Sequence, residues 1–309
     1  MAALVEGEAM TVHRHRGEWP LHLAMLLASV LPVLIALLLS WYIETQRPGP
    51  IHPVSLSVQS FSSTDEIEEV FARYGYHWPP SAEVPAIAIR ALPPAMDVLP
   101  PAQKKSLFFR ILLPMVVAEN RRLVSERQWL QGILSGRIAS FAPQRLEALA
   151  VAYRLDPALP LERLLTQLLL RLDEVPAGLV LAQAANESGW GTSRFSRKAN
   201  NLFGEWTWDH RQGVLPAQRP EGATHYVRRF GSLYESVRAY FNNLNSGPAY
   251  RPFRRLRAAM RKEGKPLDPV VLAEGLIHYS ARGSDYVEEI QLMIRINNLN
   301  KLGPLDLVR

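Results

Sequence analysis

The stretch LAQAANESGWGTSRFSRKANNLFGEW, residues 181–206, decides how the rest of the chain is interpreted. An apolar helical pattern runs into it from Pro176, and Gly189 and Gly191 are expected to end that helix. Glu187 then falls in the last helical turn. The negative end of the helix dipole and a partly apolar setting both raise the pKa of a carboxyl group placed there. A raised pKa suits a general acid, whereas the plainer alternative is a solvated glutamate on a polar helix face.

Flat aromatic rings and amides surround this acid in the sequence. The residues concerned are Trp190, Phe195, Asn200, Asn201, Phe203, Trp206 and Trp208. Aromatic faces stack on sugar rings, and amides hydrogen-bond the hydroxyl and acetamide groups of sugars. Gln183, one turn before Glu187, lies on the same helix face. The pattern predicts a sugar-binding groove beside a proton donor.

The segment QAANESGWGTSRFSRKANNLFG resembles the signature of the glucosaminidase family of peptidoglycan hydrolases, and within it the Bax-type branch of Gram-negative bacteria. The resemblance extends with gaps over residues 104–300, through THYVRRFGSLYESVRAYFNN and LAEGLIHYSARGSDYVEEI. It implies a mainly α, lysozyme-like fold of two lobes with a short β-hairpin. It also implies cleavage of the β-1,4 bond that follows N-acetylglucosamine in peptidoglycan glycan strands.

The resemblance also assigns roles to individual residues. It makes Glu187 the general acid and Tyr286 the tyrosine that faces it, with Tyr279 as the second choice for that tyrosine. The positions that it matches to the family's aromatic and amide residues are Trp190, Asn200, Asn201 and Phe203. We add Gln183, Trp206 and Tyr279 as predicted substrate contacts.

A second catalytic group is less clear from the sequence. The hairpin region after NNLFG offers Glu205, Asp209 and Glu221. Glu221 is preferred, because EGATHYVRRF has the character of a turn followed by a strand. Alternatively, the acetamido oxygen of the substrate attacks the anomeric carbon while Tyr286 steadies the charge. A lytic transglycosylase or muramidase acting on the same polymer, and a catalytically weak wall-binding scaffold, remain alternative functions.

Composition excludes several other kinds of site. The 309 residues contain no cysteine, so disulfides and thiol nucleophiles are excluded. No metal-binding His pair or phosphate-binding glycine motif occurs, and we expect neither a metal nor another cofactor. The formal net charge of +6 favours an anionic partner. The run RPFRRLRAAMRK, residues 251–262, carries six positive charges, and a solvated helix face is its plainest interpretation. Among binding partners, a cell-wall polymer or membrane surface is preferred to nucleic acid, because this run is expected outside the cytoplasm.

The N-terminal region predicts a membrane anchor. Residues 21–43 carry no charge, and as a helix they would span about 34 Å, enough to cross a bilayer. Arg14 and Arg16 precede the span and Arg47 follows it, so the positive-inside rule leaves residues 1–20 in the cytoplasm. The remainder is then periplasmic, attached to the inner membrane by a single pass.

Three segments complete the predicted organisation. They are a Pro-rich tether with a short helix at 44–103, a helical accessory region at 104–172 and the catalytic domain at 173–309. Within the tether, the prolines between residues 79 and 101 predict an extended, poorly structured passage. Pro114 predicts a kink in the helix that follows.

Overall fold

The structure, a computed structural model, describes residues 34, 35, 38, 55–216 and 224–308. It is mainly helical, as the sequence predicts. The helices are α1 (Thr64–Arg73), α2 (Pro101–Leu134), α3 (Pro143–Ala152), α4 (Leu161–Arg171), α5 (Ala177–Ser188), α6 (Arg194–Ala199), α7 (Leu233–Ser246), α8 (Arg251–Lys262), α9 (Pro269–Ala273) and α10 (Ser284–Ile296). The strands are β1 (Ser57–Gln59), β2 (Glu83–Pro85), β3 (Ile87–Ile89), β4 (Trp206–Thr207), β5 (Gly213–Val214), β6 (Tyr226–Arg228) and β7 (Asp306–Val308).

The predicted anchor at residues 21–43 lies outside the described residues, apart from Leu34, Ile35 and Leu38. Within the part of the chain that the structure describes, no helix combines the length and apolar character needed to cross a membrane. The described residues from 55 onward form one compact unit. The borders that the sequence places inside this unit stay predictions.

The long helix α2 lies at the centre of the core. Its first residue is Pro101, and a proline there costs little because the first N–H groups of a helix have no partner within it. Phe108, Leu112 and Leu113 are fully buried, and the helix contacts α4, α5 and α7. The helix continues through Pro114 to Leu134. Burial of the surrounding apolar side chains stabilises this continuation, although Pro114 cannot donate a helical hydrogen bond.

The proline-rich passage after α1 is built into the core, so the prediction of a poorly structured passage is wrong there. Strand β2 pairs in parallel with β7, with Val84 opposite Leu307, and β1 pairs in parallel with β3. Val84, Ile89 and Met96 are buried. The partner strand β7 lies near the C-terminus, and no local pattern around residues 79–101 can indicate a partner so distant in sequence.

Helix α5 carries Glu187 in its last turn, as the sequence predicts. Leu179 and Val180, on the same helix face, are fully buried. Gly189 ends the helix in the left-handed conformation at φ 56°, which glycine adopts without steric cost. The buried face fixes the helix, and its last turn holds the acid at the rim of the core.

The predicted hairpin is a three-stranded antiparallel sheet in the order β4-β6-β5. Trp206 of β4 and Val214 of β5 both lie opposite Val227 of β6. Residues 217–223 lie outside the described residues, and Glu221 is among them. The sheet follows directly after the NNLFG segment and places that segment beside the end of α5.

Candidate active site

A cleft of about 1360 Å³ opens beside the last turn of α5. Its walls include residues of α2, α3, α5 and α7, the turn that leads into β4, and the segment before α10. Glu187, Phe203, Trp206, Tyr279 and Tyr286 line it, so five of the predicted site residues are brought together. The cleft is large enough for several sugar residues and is open to solvent, as a polymer substrate requires.

The side chain of Glu187 is partly buried at the end of α5. The Tyr286 hydroxyl donates a hydrogen bond of 2.8 Å to Glu187 Oε1. Burial raises the pKa of Glu187 above its ordinary value, and this effect outweighs the hydrogen bonds from Tyr286 and Asn186 and the positive charge of Arg282, which lower it. The position at the C-terminal end of a helix disfavours the ionised form further. A carboxyl group in this setting retains its proton closer to neutral pH.

A chain of hydrogen bonds runs from the core to this acid. Tyr240 donates to Gln183 Oε1, and Gln183 Nε2 donates to the Tyr286 hydroxyl oxygen at 2.8 Å. Tyr286 then donates to Glu187. Each hydroxyl hydrogen is thereby assigned to one acceptor, and such chains strengthen their members. The chain fixes Tyr286 as a donor to Glu187.

Gln183 itself does not reach the cleft, so its predicted role as a substrate contact is wrong. Its side chain is fully buried, and both ends of its amide are occupied by Tyr240 and Tyr286. Helical periodicity places Gln183 and Glu187 on the same face of α5. Gln183 packs in the core, however, and only the last turn of that face, which carries Glu187, borders the cleft. Gln183 therefore positions Tyr286.

The two predicted tyrosines stack against each other. The rings of Tyr279 and Tyr286 lie 5.3 Å apart and are nearly parallel, at 3°. The Tyr279 hydroxyl donates to the backbone oxygen of Phe203 at 2.9 Å, which ties the segment before α10 to the NNLFG turn. Burial and the negative charge of Glu187 raise the pKa of Tyr286, and burial and neighbouring Tyr286 raise that of Tyr279. Both phenols stay protonated and act as donors.

The two asparagines hydrogen-bond to the backbone and do not line the cleft, and their predicted contact with the glycan stays a prediction. Asn201 Nδ2 donates to the backbone oxygens of Glu205 and Arg228, and its Oδ1 accepts from the Glu205 N–H. Asn200 is in the left-handed conformation and donates to the backbone oxygen of Phe230. The amides satisfy buried backbone groups of the turn and of β6 and so shape the cleft wall.

The aromatic residues divide between core and cleft. Trp190 packs against Phe108 and Phe109 of α2, with ring centroids 6.0 and 5.2 Å apart, and is not part of the cleft wall. Its predicted contact with substrate stays a prediction. Trp206 and Trp208 line the cleft and expose 57% and 71% of their surfaces. These two indoles present apolar surface on which a sugar ring can stack.

Four carboxylates of the described residues line the cleft, and their surroundings separate them. Glu119 is buried in a bidentate pair with Arg122, at 2.7 and 3.0 Å. Glu235 accepts from the Gly231 N–H, and its own N–H donates to the hydroxyl of the N-cap residue Ser232 at the start of α7. Both are occupied by structural partners. Glu187 and Glu205 remain.

The surroundings of Glu205 distinguish it from the other acids of the hairpin, which the sequence does not indicate. Its side chain is 12% exposed, Oε1 is buried without a hydrogen-bond partner, and Oε2 lies 3.6 Å from Arg228 Nη1. Burial raises the pKa of Glu205 to about 7, and Arg228 opposes this rise. Asp209, the other described hairpin acid, is partly exposed and bound to Arg211, which lowers its pKa to about 2. The preferred Glu221 lies outside the described residues.

Similarity to known proteins agrees with the signature read from the sequence. Residues 165–299 match the glucosaminidase family, described as mannosyl-glycoprotein endo-beta-N-acetylglucosaminidase. The chain is 33% identical over 196 residues to the protein bax of Escherichia coli strain K12, an alignment that covers 63% of this chain and 70% of bax. Among solved structures, it matches the crystal structure of the catalytic domain of the autolysin Auto from Listeria monocytogenes. That match has 20% identity and a TM-score of 0.32, and it covers 56% of this chain and 86% of the other. The chain belongs to the glucosaminidase family and is a Bax-like member of it.

Proposed function

We propose that the chain hydrolyses the β-1,4 bond that follows N-acetylglucosamine in peptidoglycan, with Glu187 as the general acid. The observation that carries this proposal is a carboxyl group with a raised pKa, in a cleft lined by exposed indoles and oriented by Tyr286. Glycosidic cleavage needs protonation of the leaving oxygen and stabilisation of an oxocarbenium-like centre. The proposed lysozyme-like, two-lobed architecture supplies the cleft between the lobes.

The hydrogen bond from Tyr286 suggests which oxygen of Glu187 carries the proton. Because Oε1 already accepts from Tyr286, the proton of the neutral acid belongs on Oε2. Gly204 lines the cleft beside that oxygen, and a Cβ atom at Gly204 would lie 3.8 Å from Oε2. The absence of a side chain on Gly204 leaves room for a glycosidic oxygen to approach. After proton transfer, Tyr286 stabilises the carboxylate that forms.

For the second group, we assign the role of base to Glu205. An acid with a pKa of about 7 is ionised in a large fraction of molecules at neutral pH, as a base that activates water must be. Tyr250 lies near both acids: burial raises its pKa to about 12, and the negative charges of Glu205 and Glu187 contribute to the rise. The alternative, attack by the substrate's own acetamido oxygen, requires no ionised Glu205 and is separated from this assignment by substitution.

The direct test is digestion of purified sacculi followed by mass spectrometry of the fragments. New reducing ends on N-acetylglucosamine support the proposal, whereas 1,6-anhydromuramyl ends would identify a lytic transglycosylase. Glu187→Gln should lower the rate by about 10²- to 10⁴-fold, and Glu162→Gln, an exposed glutamate of α4, is the matched control. Binding to sacculi without release of any fragment would favour a wall-binding scaffold.

We further propose that residues 21–43 anchor the chain in the inner membrane, with the cleft in the periplasm. The support is the length of this uncharged stretch and the arginines that precede it. The full chain should stay with membranes after an alkaline wash, and a chain lacking residues 1–43 should not. Release of both chains by the same wash would contradict the anchor.

A further inference from the structure

Four arginines lie close together beside the cleft, and one of them, Arg154, lines it. Arg154 follows α3, Arg171 ends α4, and Arg251 and Arg254 lie in the first turn of α8. Arg254 is buried, and burial together with the charges of the other three lowers its pKa to about 10. Burial and the charges of Arg154 and Arg251 also lower the pKa of Arg171. Burial is the main cause of both lowered pKa values, and the neighbouring positive charges add to it. The Arg171 guanidinium also donates to the backbone oxygen of Arg154 at 3.3 Å, which brings these two residues together. We call these four residues the arginine cluster.

Within the described residues, no ion pair involves a member of the arginine cluster. The charges that act on Arg171 and Arg254 are those of other arginines. The chain neutralises buried arginines elsewhere. Around Asp173, the nitrogens of Arg127, Arg257 and Arg261 lie 3.6, 3.9 and 2.8 Å from the carboxylate. The contrast indicates that the arginine cluster has its positive charge available for a ligand.

Backbone carbonyl groups hold the inner members of the cluster in place. Arg254 Nη1 donates to the carbonyl oxygens of Leu244 and Gly247, at 2.9 and 2.8 Å. Arg171 Nη1 donates to the carbonyl oxygen of Ser246 at 3.4 Å. Neutral acceptors fix these guanidinium groups without cancelling their charge, so the cluster is organised before a ligand binds.

Arg154 connects the cluster to the cleft. Its exposed side chain lines the same cleft as Glu187, together with Ala152 and, on α7, Asn242. Its backbone is in the left-handed conformation at φ 57°, which is uncommon for a residue other than glycine or asparagine. Arg154 also lies before residue 165, where the match to the glucosaminidase family begins. The helices that precede the family domain thus extend its cleft with a positive end.

We propose that the arginine cluster binds a carboxylate of the peptide side chains that peptidoglycan carries. This assignment rests on the proposed function, because a glycan strand lying across Glu187 and Trp206 would carry its acidic peptides along the cleft. Guanidinium groups bind carboxylates through charge-assisted hydrogen bonds. Arg154, on the cleft wall, makes the contact. The positive charges of the other three arginines strengthen the electrostatic attraction for the carboxylate.

The test compares two substrates, peptide-bearing glycan strands and strands freed of peptides by an amidase. Arg154→Asn removes the charge and keeps a side chain that tolerates the left-handed backbone. It should raise KM for peptide-bearing strands about fivefold more than KM for peptide-free strands. Arg163→Gln, an exposed arginine of α4, is the matched control and should leave the ratio of the two KM values unchanged. Equal increases on both substrates would overturn the proposal.

A binding measurement separates this proposal from the proposed function. Fluorescence polarisation with labelled strands uses the Glu187→Gln protein, so its outcome does not depend on cleavage. Adding Arg154→Asn should weaken binding of peptide-bearing strands about fivefold and reduce the salt dependence of Kd. An unchanged Kd would overturn the carboxylate site even if the enzyme cleaves peptidoglycan. If Arg154→Asn does not fold, Arg251→Gln, exposed at the start of α8, should give the same loss of preference.

Discussion

Replacing Glu205 by glutamine separates the functional cost of this residue from its structural cost. The side chain is almost completely buried, with Oε1 unpartnered and Arg228 at 3.6 Å from Oε2. Burial raises its pKa from an ordinary value of 4.5 to about 7, against the effect of Arg228. Glutamine has nearly the same shape but cannot ionise. The substitution therefore removes a charge that the folded protein accommodates poorly.

The expected gain in stability follows from the two pKa values. A rise from 4.5 to about 7 corresponds to about 3 kcal/mol of preference for the neutral form. Below pH 4.5 the carboxyl group is protonated in both states and costs nothing. Between pH 4.5 and pH 7 the unfolded chain loses its proton first, so the wild-type free energy of unfolding falls. Above pH 7 the wild type has lost the full amount of unfolding free energy. Glu205→Gln does not lose it, because glutamine cannot ionise.

Urea denaturation followed by tryptophan fluorescence measures this difference at two pH values. At pH 8, Glu205→Gln should raise the free energy of unfolding by about 3 kcal/mol, or the Tm by about 6–12 °C. At pH 4 the variant and the wild type should agree. Glu162→Gln, on the exposed face of α4, should have little effect at either pH. A gain of the same size at both pH values would show that the reasoning from ionisation is wrong.

The same variant decides between the two candidates for the second catalytic group. If ionised Glu205 activates water, Glu205→Gln should lower kcat by about 10²-fold or more while stability at pH 8 rises. Increased stability with unchanged kcat would assign the second role to the substrate's acetamido group. A simultaneous loss of stability and activity would show that Glu205 is needed for the fold alone.

Two further substitutions test the setting of Glu187. Tyr286→Phe removes the hydrogen bond that lowers the pKa of Glu187, so the basic limb of the kcat/KM profile should move to higher pH, because Glu187 must be protonated to act. An unmoved limb in the pH–rate profile would contradict this role for Tyr286. Gly204→Ala adds a methyl group 3.8 Å from Glu187 Oε2, at a backbone φ of 68°. It should cost about 1 kcal/mol of stability and reduce kcat more than binding, whereas unchanged kinetics and thermal stability would show that the space beside Oε2 is not used.

Regular patterns in the sequence account for much of the fold. The helical periodicity of α2 to α5 reflects the burial of one face of each helix, and a residue such as Gly189 marks an end through its own backbone preference. These signals are local, so they can be read without knowledge of the tertiary structure. The parallel pairing of β2 with β7 cannot be predicted in this way, because each strand has only three residues and the two strands lie far apart in the sequence.

The candidate site shows a different limit. Residue type alone does not separate an amide that holds a sugar from one that satisfies a buried carbonyl group, and Gln183 and Asn201 are of the second kind. The hydrogen bond between Glu187 and Tyr286 joins residues 99 positions apart, and the resemblance to the glucosaminidase family, not periodicity, indicates it. The sequence identifies Glu205 as one of the acids after NNLFG, but its burial depends on the sheet that folds over it.

The two acids of the cleft illustrate why the site is costly to the fold. A carboxyl group that holds its proton near neutral pH must lie where its charge is poorly solvated, and that same placement destabilises the folded chain once it ionises. Evolution toward stability alone would replace Glu205 by a neutral residue. Its position beside Arg228, with one oxygen unpartnered, is therefore better explained by a use for the charge than by packing. The uncompensated arginine cluster follows the same logic: groups that a stable fold would neutralise stay unpaired where a substrate can pair with them.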